Sequence, residues 1–237
     1  MSERDVLRLA IACPTRDSVE GITVKCLADL CINIGMLAAH GLPLEVCYLT
    51  VIGSMLGNGR NQIVKEALAK DCTHILWIDS DMVFPKDTFE RLLVHNKPIA
   101  AASYVYRKRP SKPVACGLDG NRIYTEETST GLVEADYVGH GVMLVNCDVY
   151  RALEMPWYMF GWSMKHQHET GEDVYFCKSA RRIGASVWID HDLSKEILHI
   201  GKAEYSWRHA LEDRPKVFAE QELKKAEALR GADGTGS

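Results

Sequence analysis

The stretch "HILWIDSDMVFP", residues 74–85, decides how the rest of the chain is read. It opens as an apolar run suited to a sheet core and then places Asp79 and Asp81 on either side of Ser80. Two like charges this close repel one another. A divalent cation would remove the repulsion. The plain alternative is that one of the two acids caps the helix that Pro85 opens.

Working outward, "VLRLAIACPT" (6–15) reads as a strand that stops at Pro14, and "LEVCYLTVI" (44–52) as a second. Between them Val24, Leu27, Leu30, Cys31, Ile34 and Leu37 recur at helical spacing until Gly41. "GNGRNQIVKEALAKD" (57–71) reads as a glycine-rich turn entering a helix, "PKDTFERLLVHN" (85–96) as a helix, and "PIAAASYV" (98–105) as a strand. This alternation predicts a parallel sheet with helices on both faces.

Past residue 110 the pattern changes. "KPVACGL" (112–118), "NRIYTEE" (121–127), "LVEADYV" (132–138) and "GVMLVN" (141–146) read as short strands of an antiparallel annex. "GEDVYFCKSARRIG" (171–184) is a helix, "ASVWID" (185–190) and "EILHIG" (196–201) are strands, and "PKVFAEQELKKAEALR" (215–230) is a charged helix. The expectation is one α/β domain over residues 1–230, with halves 1–105 and 106–202 and a helical segment 203–230. Residues 231–237 read as a flexible tail.

The 237 residues are 46% hydrophobic and 25% charged, with a formal net charge of -4. That balance gives no bulk attraction for nucleic acid or an anionic membrane. The start, "MSERDVLRLA", is not a secretory signal, and uncharged windows such as residues 30–44 read as too short to span a bilayer. The eight cysteines include no Cys-x-x-Cys pair and mostly sit in apolar runs. A reduced, cytoplasmic protein without a membrane partner is expected.

"WIDSDMVFP" (77–85), following an alternating strand–helix half, resembles the D-x-D segment of nucleotide-sugar glycosyltransferases of the Rossmann-like GT-A fold, family-2-like and of compact bacterial or phage type. "IACPTRD" (11–17) resembles their first strand and nucleotide loop, and "GNGRNQIVKEAL" (57–68) their arginine-bearing helix start. "GHGVMLVN" (139–146) is similar to the strand entering the acceptor region, "GEDVYFCKSARRIG" to the E-D helix, and "HIG" (199–201) to the late histidine. The order is kept over residues 6–202.

The resemblance implies roles. Asp81 would ligate manganese, or magnesium, with Asp79 reaching the ribose or a metal-bound water. His199 would complete the coordination sphere, an imidazole suiting manganese better. Asp173 would be the general base of an inverting displacement, with Glu172 binding the acceptor or bracing the site. The helix dipole would favour ionised acids there. Pro14, Thr15, Arg16 and Asp17 would hold base and ribose, beside Ser80. Arg60 and Asn61 would form an anion site at a helix start.

Arg107, Lys108, Arg109 and Lys112, interleaved with Tyr104 and Tyr106, would meet a diphosphate or a polyanionic acceptor, or form a solvated loop. Gly139, His140, Gly141 and Trp162 fall in the acceptor region. Trp157 and Phe160 would stack on a sugar or sit in the core, and His166 and His168 are expected beside the cleft without ligating. The implied donor is a nucleotide diphosphate sugar, UDP-sugar by family frequency, and the acceptor a glycan or a hydroxymethylated DNA base. Two rivals stay open. One is a sugar-nucleotide nucleotidyltransferase, disfavoured because "CPTRDSVEG" (13–21) lacks a glycine-rich loop. The other is a noncatalytic nucleotide-sugar-binding module. Sugar, acceptor and oligomeric state are not legible.

Overall fold

A computed structural model describes residues 6–53, 55–163, 167–201 and 204–233. In chain order the elements are β1 (Leu7–Ala12), α1 (Gly21–Ala39), β2 (Leu44–Leu49), α2 (Leu56–Ala69), β3 (His74–Ile78), β4 (Met82–Val83), α3 (Thr88–Val94) and β5 (Ile99–Ala101). There follow β6 (Leu132–Ala135), β7 (Val142–Asn146), α4 (Cys147–Ala152), β8 (Gly161–Ser163), β9 (His168–Thr170) and α5 (Glu172–Arg182). The last are β10 (Val187–Asp190), α6 (His191–Ser194), β11 (Leu198–Ile200), β12 (Glu204–Tyr205) and α7 (Trp207–Asp233).

A seven-stranded sheet runs β2-β1-β3-β7-β5-β10-β6. β1 pairs in parallel with β2 and β3, and β10 with β5. β7 lies antiparallel between β3 and β5, and β6 is antiparallel to β10. This is a mixed, mostly parallel α/β sheet flanked by helices, as expected of a Rossmann-like architecture. Its centre is a continuous core: Ile75, Leu76, Trp77 and Ile78 of β3 are fully buried, as are Val142, Met143 and Val145 of β7. Strands buried on both faces read as unbroken apolar runs rather than alternating ones.

The annex differs from its sequence reading. β6 and β7 join the central sheet, while "KPVACGL" and "NRIYTEE" form only isolated bridges at Val105–Pro113, Cys116–Arg122 and Cys116–Tyr137. The small antiparallel sheet is built instead from β12, β11 and β4. Short segments with turn signals on both sides do not reveal which sheet edge they will meet, because pairing is set by tertiary context.

Other boundaries also shift. "GNG" is not a turn: Gly57 and Gly59 lie inside α2, both buried. Gly57 faces the Tyr158 carbonyl, where a Cβ would stand 3.6 Å away in ordinary van der Waals contact. Among α1's predicted face residues, Leu27, Leu30 and Ile34 are buried, whereas Val24 and Cys31 are exposed. α1 is also long and apolar enough to cross a membrane by length and composition, with mean hydropathy 1.6, so residues 30–44 understated it. α7 starts at Trp207, passes through Pro215 and continues to Asp233, into the expected tail. Residues 234–237 lie outside the described residues, as does His166; of His168 only the strand position is described.

Candidate functional site

The carboxyl ends of the parallel strands form one rim. Ligands bind at such rims in open α/β sheets because the loops there converge. β3 ends at Ile78, which delivers Asp79 to the rim, and the Asp79 N–H donates to the Gly141 carbonyl at 3.0 Å. The Glu20 N–H donates to the Ser80 carbonyl at 2.9 Å, tying the D-x-D turn to the loop after β1.

Arg60 organises the site. Its side chain is 2% exposed. Nη2 donates to Asp79 Oδ1 at 2.7 Å, and Nε donates to Glu172 Oε1 at 3.4 Å. The guanidinium lies 5.3 Å from the Trp77 ring and 5.9 Å from the Tyr158 ring. Burial opposes its charge, but Asp79 and Glu172 outweigh that, so its proton is held more tightly than usual. Nη1 is buried without a hydrogen-bond partner. Arg60 is therefore not the open anion site read from a helix start, and only Nη1 is left to meet a ligand. Glu172 braces it.

Asp173 is next on α5, half-buried, with its Oδ1 accepting the Val174 N–H at 2.7 Å. Burial first and the Glu172 charge second push its pKa up to about 6. The first-turn expectation of a favoured carboxylate is thus reversed: desolvation and a like charge exceed the help of the Val174 N–H and the Arg60 charge. A base titrating near neutrality is well matched to taking a proton from a hydroxyl.

Asp81 stands on the other side of the rim. The Ile200 N–H donates to the Asp81 carbonyl at 2.8 Å, pinning β11 beside β4, and His199 Nε2 lies 3.5 Å from Asp81 Oδ1. His199 Nδ1 donates to the Val105 carbonyl at 2.8 Å, which turns Nε2 toward the carboxylate; the two pair when the ring carries a second proton on Nε2. Arg107 Nη1 pairs with Asp81 Oδ2 at 2.7 Å. Burial would raise the Asp81 pKa, but His199 and Arg107 overcome it and hold the carboxyl below its usual range.

Among the described residues no three His, Cys, Asp or Glu side chains are grouped to hold an ion. The Asp81–His199 pair nevertheless suits manganese or magnesium. Such ions are commonly held by one or two protein ligands with substrate phosphates and water completing the sphere. Asp79, engaged by Arg60, is not beside that pair as a third ligand.

The loop after β1 is bridged to the segment after β2 at Thr15–Ile52. Thr15 is buried, whereas Arg16 and Asp17 are exposed and 3.5 Å apart, following Pro14. Asn61 is spent elsewhere: its Nδ2 donates to the Tyr158 carbonyl at 2.7 Å, and Oδ1 accepts the Trp157 and Tyr158 N–H groups. It clamps backbone rather than facing a donor. His140 is also corrected. It is buried, with Nε2 3.0 Å from Tyr158 Oη, and burial plus Arg60 depress its pKa well below the ordinary value. It stays neutral inside the core. Gly139 and Gly141 face Tyr104 rather than an open acceptor region.

Trp157 is core, with Nε1 donating to the Tyr150 carbonyl at 2.9 Å; Phe160 and Trp162 are exposed. Of the basic stretch, Arg107 pairs with Asp81, Arg109 with Asp213 at 2.7 Å and Lys112 with Glu220 at 3.7 Å. Lys108 packs near Tyr106. Three of the four cations are thus neutralised within the chain, two of them by α7. Tyr158 packs beside the site although nothing local in its sequence marks it, while Trp77 and Tyr104, which fall in the quoted motifs, take buried packing roles there. These roles are recognised only once Arg60, β7 and β3 are packed together.

No family model and no curated protein matches the chain. Solved structures similar to it include A197 from STIV, with TM-score 0.55 and 16% identity, covering 82% of this chain and 86% of that one. A glycosyltransferase involved in the glycosylation of the major capsid of PBCV-1 has TM-score 0.29 and 14% identity, covering 62% of this chain and 68% of that one. The first likeness is one of fold alone, and the second is too distant to carry an argument.

Proposed function

We propose that the chain is a metal-dependent inverting glycosyltransferase that moves a sugar from a nucleotide diphosphate donor, a UDP-sugar by preference, to an acceptor hydroxyl. The observation that carries this reading is the Arg60 bridge. It joins Asp79 of the D-x-D turn at 2.7 Å to Glu172 of the E-D helix at 3.4 Å, so that both motifs occupy one rim.

In this mechanism the loop from Pro14 to Asp17 receives the nucleotide, and Asp79 and Ser80 lie beside the ribose. Asp81 and His199 would hold a divalent cation, which supplies Lewis-acid stabilisation of charge on the departing diphosphate. Arg107, already at Asp81, is placed to follow that charge. Asp173 takes the proton of the acceptor hydroxyl. The oxygen forms its bond to the anomeric carbon while the carbon–oxygen bond to the diphosphate breaks on the opposite face. The result is inversion through an oxocarbenium-like state, as in glycoside hydrolysis. The reading places the enzyme in the cytoplasm, in keeping with eight free cysteines.

The test is a thermal-shift and turnover panel of nucleotide sugars, with and without manganese. A donor at 100 times its dissociation constant should add about 2.7 kcal/mol of stability. The expected result is a shift that needs metal, with release of the nucleoside diphosphate when an acceptor is supplied. Turnover of a nucleoside triphosphate with a sugar phosphate would favour a nucleotidyltransferase instead. Binding with no turnover under any acceptor would leave a binding module.

A further inference from the structure

A cleft of about 820 Å³ has Gly171 and Val174, which flank Glu172 and Asp173 in sequence, in its lining, while Asp173 itself is not among the lining residues. Its opposite wall is made of aromatic rings with cations on their faces. Arg122 Cζ lies 5.7 Å from the Tyr106 ring and 5.8 Å from the Tyr137 ring. Arg214 Cζ is 4.4 Å from the Tyr124 ring. A second hollow of about 700 Å³ shares Asp136, Thr170, Val174 and Lys178 with the first and reaches the exposed Trp162. Aromatic faces in a wet cleft suit the apolar faces of sugar rings.

The cations of this cleft differ in one respect. Lys178 is 3.7 Å from Asp136, and Arg214 is 2.7 Å from Glu126. Arg122 has no carboxylate within ion-pair distance among the described residues. Its Nη1 donates to the carbonyls of Pro113 and Val114 at 3.2 and 3.4 Å, and among the described residues its Nε and Nη2 have no hydrogen-bond partner. Two more polar atoms lie here without a partner: Tyr124 Oη and Arg214 Nε, both buried. Unsatisfied buried polar groups are rare enough that each requires an explanation, and Tyr124 Oη and Arg214 Nε line the same cleft as the unpaired Arg122.

We propose that this cleft is the acceptor subsite and that it takes a saccharide carrying a single acidic group, a carboxylate or a phosphate, received by the open edge of Arg122. The planar fork of an arginine matches either oxyanion through two parallel hydrogen bonds. One unpaired cation among neutralised ones specifies one anionic group. A nucleic acid would instead need a run of unpaired cations along the strand. The assignment rests on the glycosyltransferase reading in one particular: that the hydroxyl to be activated sits at Asp173.

The experiment measures binding of three probes by saturation-transfer NMR and titration: methyl β-glucoside, methyl β-glucuronide and methyl β-glucoside 6-phosphate. At least one acidic probe should bind about tenfold or more tightly than the neutral glucoside, as expected for a charge-assisted pair. Carboxylate and phosphate sources are told apart by which one does so. Arg122→Gln should erase the preference, Arg122→Lys should keep part of it, and Tyr124→Phe should weaken the preferred probe severalfold without changing the fold. Equal binding of neutral and acidic probes, or a preference that survives Arg122→Gln, overturns the proposal. So does a hydroxymethylcytosine duplex that binds through Arg122 with a steep salt dependence. UDP with manganese is titrated on the same proteins. Loss of that binding in the unaltered chain counts against the glycosyltransferase reading while leaving the cleft result standing, and intact UDP binding with no acidic preference does the reverse.

Discussion

Arg60 and Glu172 are 112 positions apart in the chain, yet Arg60 Nε meets Glu172 Oε1 at 3.4 Å in the interior of the rim. The same guanidinium holds Asp79 Oδ1 at 2.7 Å. One buried cation therefore sets the distance between the end of β3 and the start of α5. Removing it would leave two carboxylates facing one another with no compensating charge.

Arg60→Met is accordingly expected to destabilise the protein by about 3–5 kcal/mol, the usual cost of breaking a buried ion pair from one side. Urea unfolding at pH 7.5 measures it. Arg60→Lys should recover only part of the loss, because an ammonium cannot reach two carboxylates from one planar fork. Full stability in Arg60→Met would mean that the network is not structural.

Asp173→Asn should leave donor affinity intact and lower the transfer rate by a factor of about 10² to 10⁴, the range ascribed to general base catalysis. Titration of UDP with manganese and steady-state transfer rates, taken on one preparation, separate the two. A variant that transfers at the full rate removes Asp173 as the base.

The pH dependence follows from the raised pKa of about 6. The base is needed ionised, so log kcat/KM should fall with unit slope as pH drops below 6 and level off above it. Stability runs the other way. A carboxyl whose folded pKa is raised favours folding most fully below its unfolded pKa, and that contribution is lost as pH rises through 6. Asp173→Asn should thus be more stable than the parent at pH 8, by about 1–3 kcal/mol, with the two converging toward pH 4. Thermal unfolding across that window checks the sign.

At Asp81 an arginine stands where a cation is proposed to bind. Arg107 Nη1 is 2.7 Å from Oδ2, so ion binding at Asp81 competes with this pair. Arg107→Gln should tighten manganese binding measured without nucleotide. His199→Ala, which removes a direct ligand, should weaken it by at least the roughly 10- to 100-fold seen when a group that merely supports a ligand is lost. Calorimetric titration of manganese distinguishes them. Identical affinity in all three proteins would place the ion elsewhere.

Most strands and helices up to residue 105 are legible because each announces its own period: apolar runs for β1, β3 and β5, helical spacing for α1 and α3; the two-residue β4 and the glycines inside α2 carry no such period. The positions of Asp79 and Asp81 followed, since a strand end needs no tertiary knowledge. β6 and β7 were misassigned because a four- or five-residue apolar strand carries no record of its partner. Asn61 and His140 were misread for the same reason. Their types suit ligand binding, and only the long-range approach of residues 157 and 158 shows that the Asn61 amide and His140 Nε2 are already engaged. The pKa of Asp173 was missed because the sequence displays its helix turn but not its burial.

Gly141 links the D-x-D turn to the core, and its small size is what allows it. Its carbonyl accepts the Asp79 N–H at 3.0 Å, and its own N–H donates to Tyr104 Oη at 3.1 Å. A Cβ there would come 2.7 Å from Tyr104 Cε1, 2.8 Å from Cζ and 3.0 Å from Met82 Sδ. Tyr104 is itself buried and packs edge-on against His199, with ring centroids 5.0 Å apart, so it cannot swing clear without moving the proposed metal ligand. Gly141→Ala should therefore cost about 1–3 kcal/mol, as overpacking does, and should weaken manganese binding as well. Tyr104→Leu, which shortens the obstructing side chain, should cost stability by itself. In the double variant the two losses should be less than additive, because the clash that causes the first is removed by the second. Chemical denaturation of the four proteins gives the coupling energy. A value near zero would mean that Gly141 is small for some reason other than Tyr104.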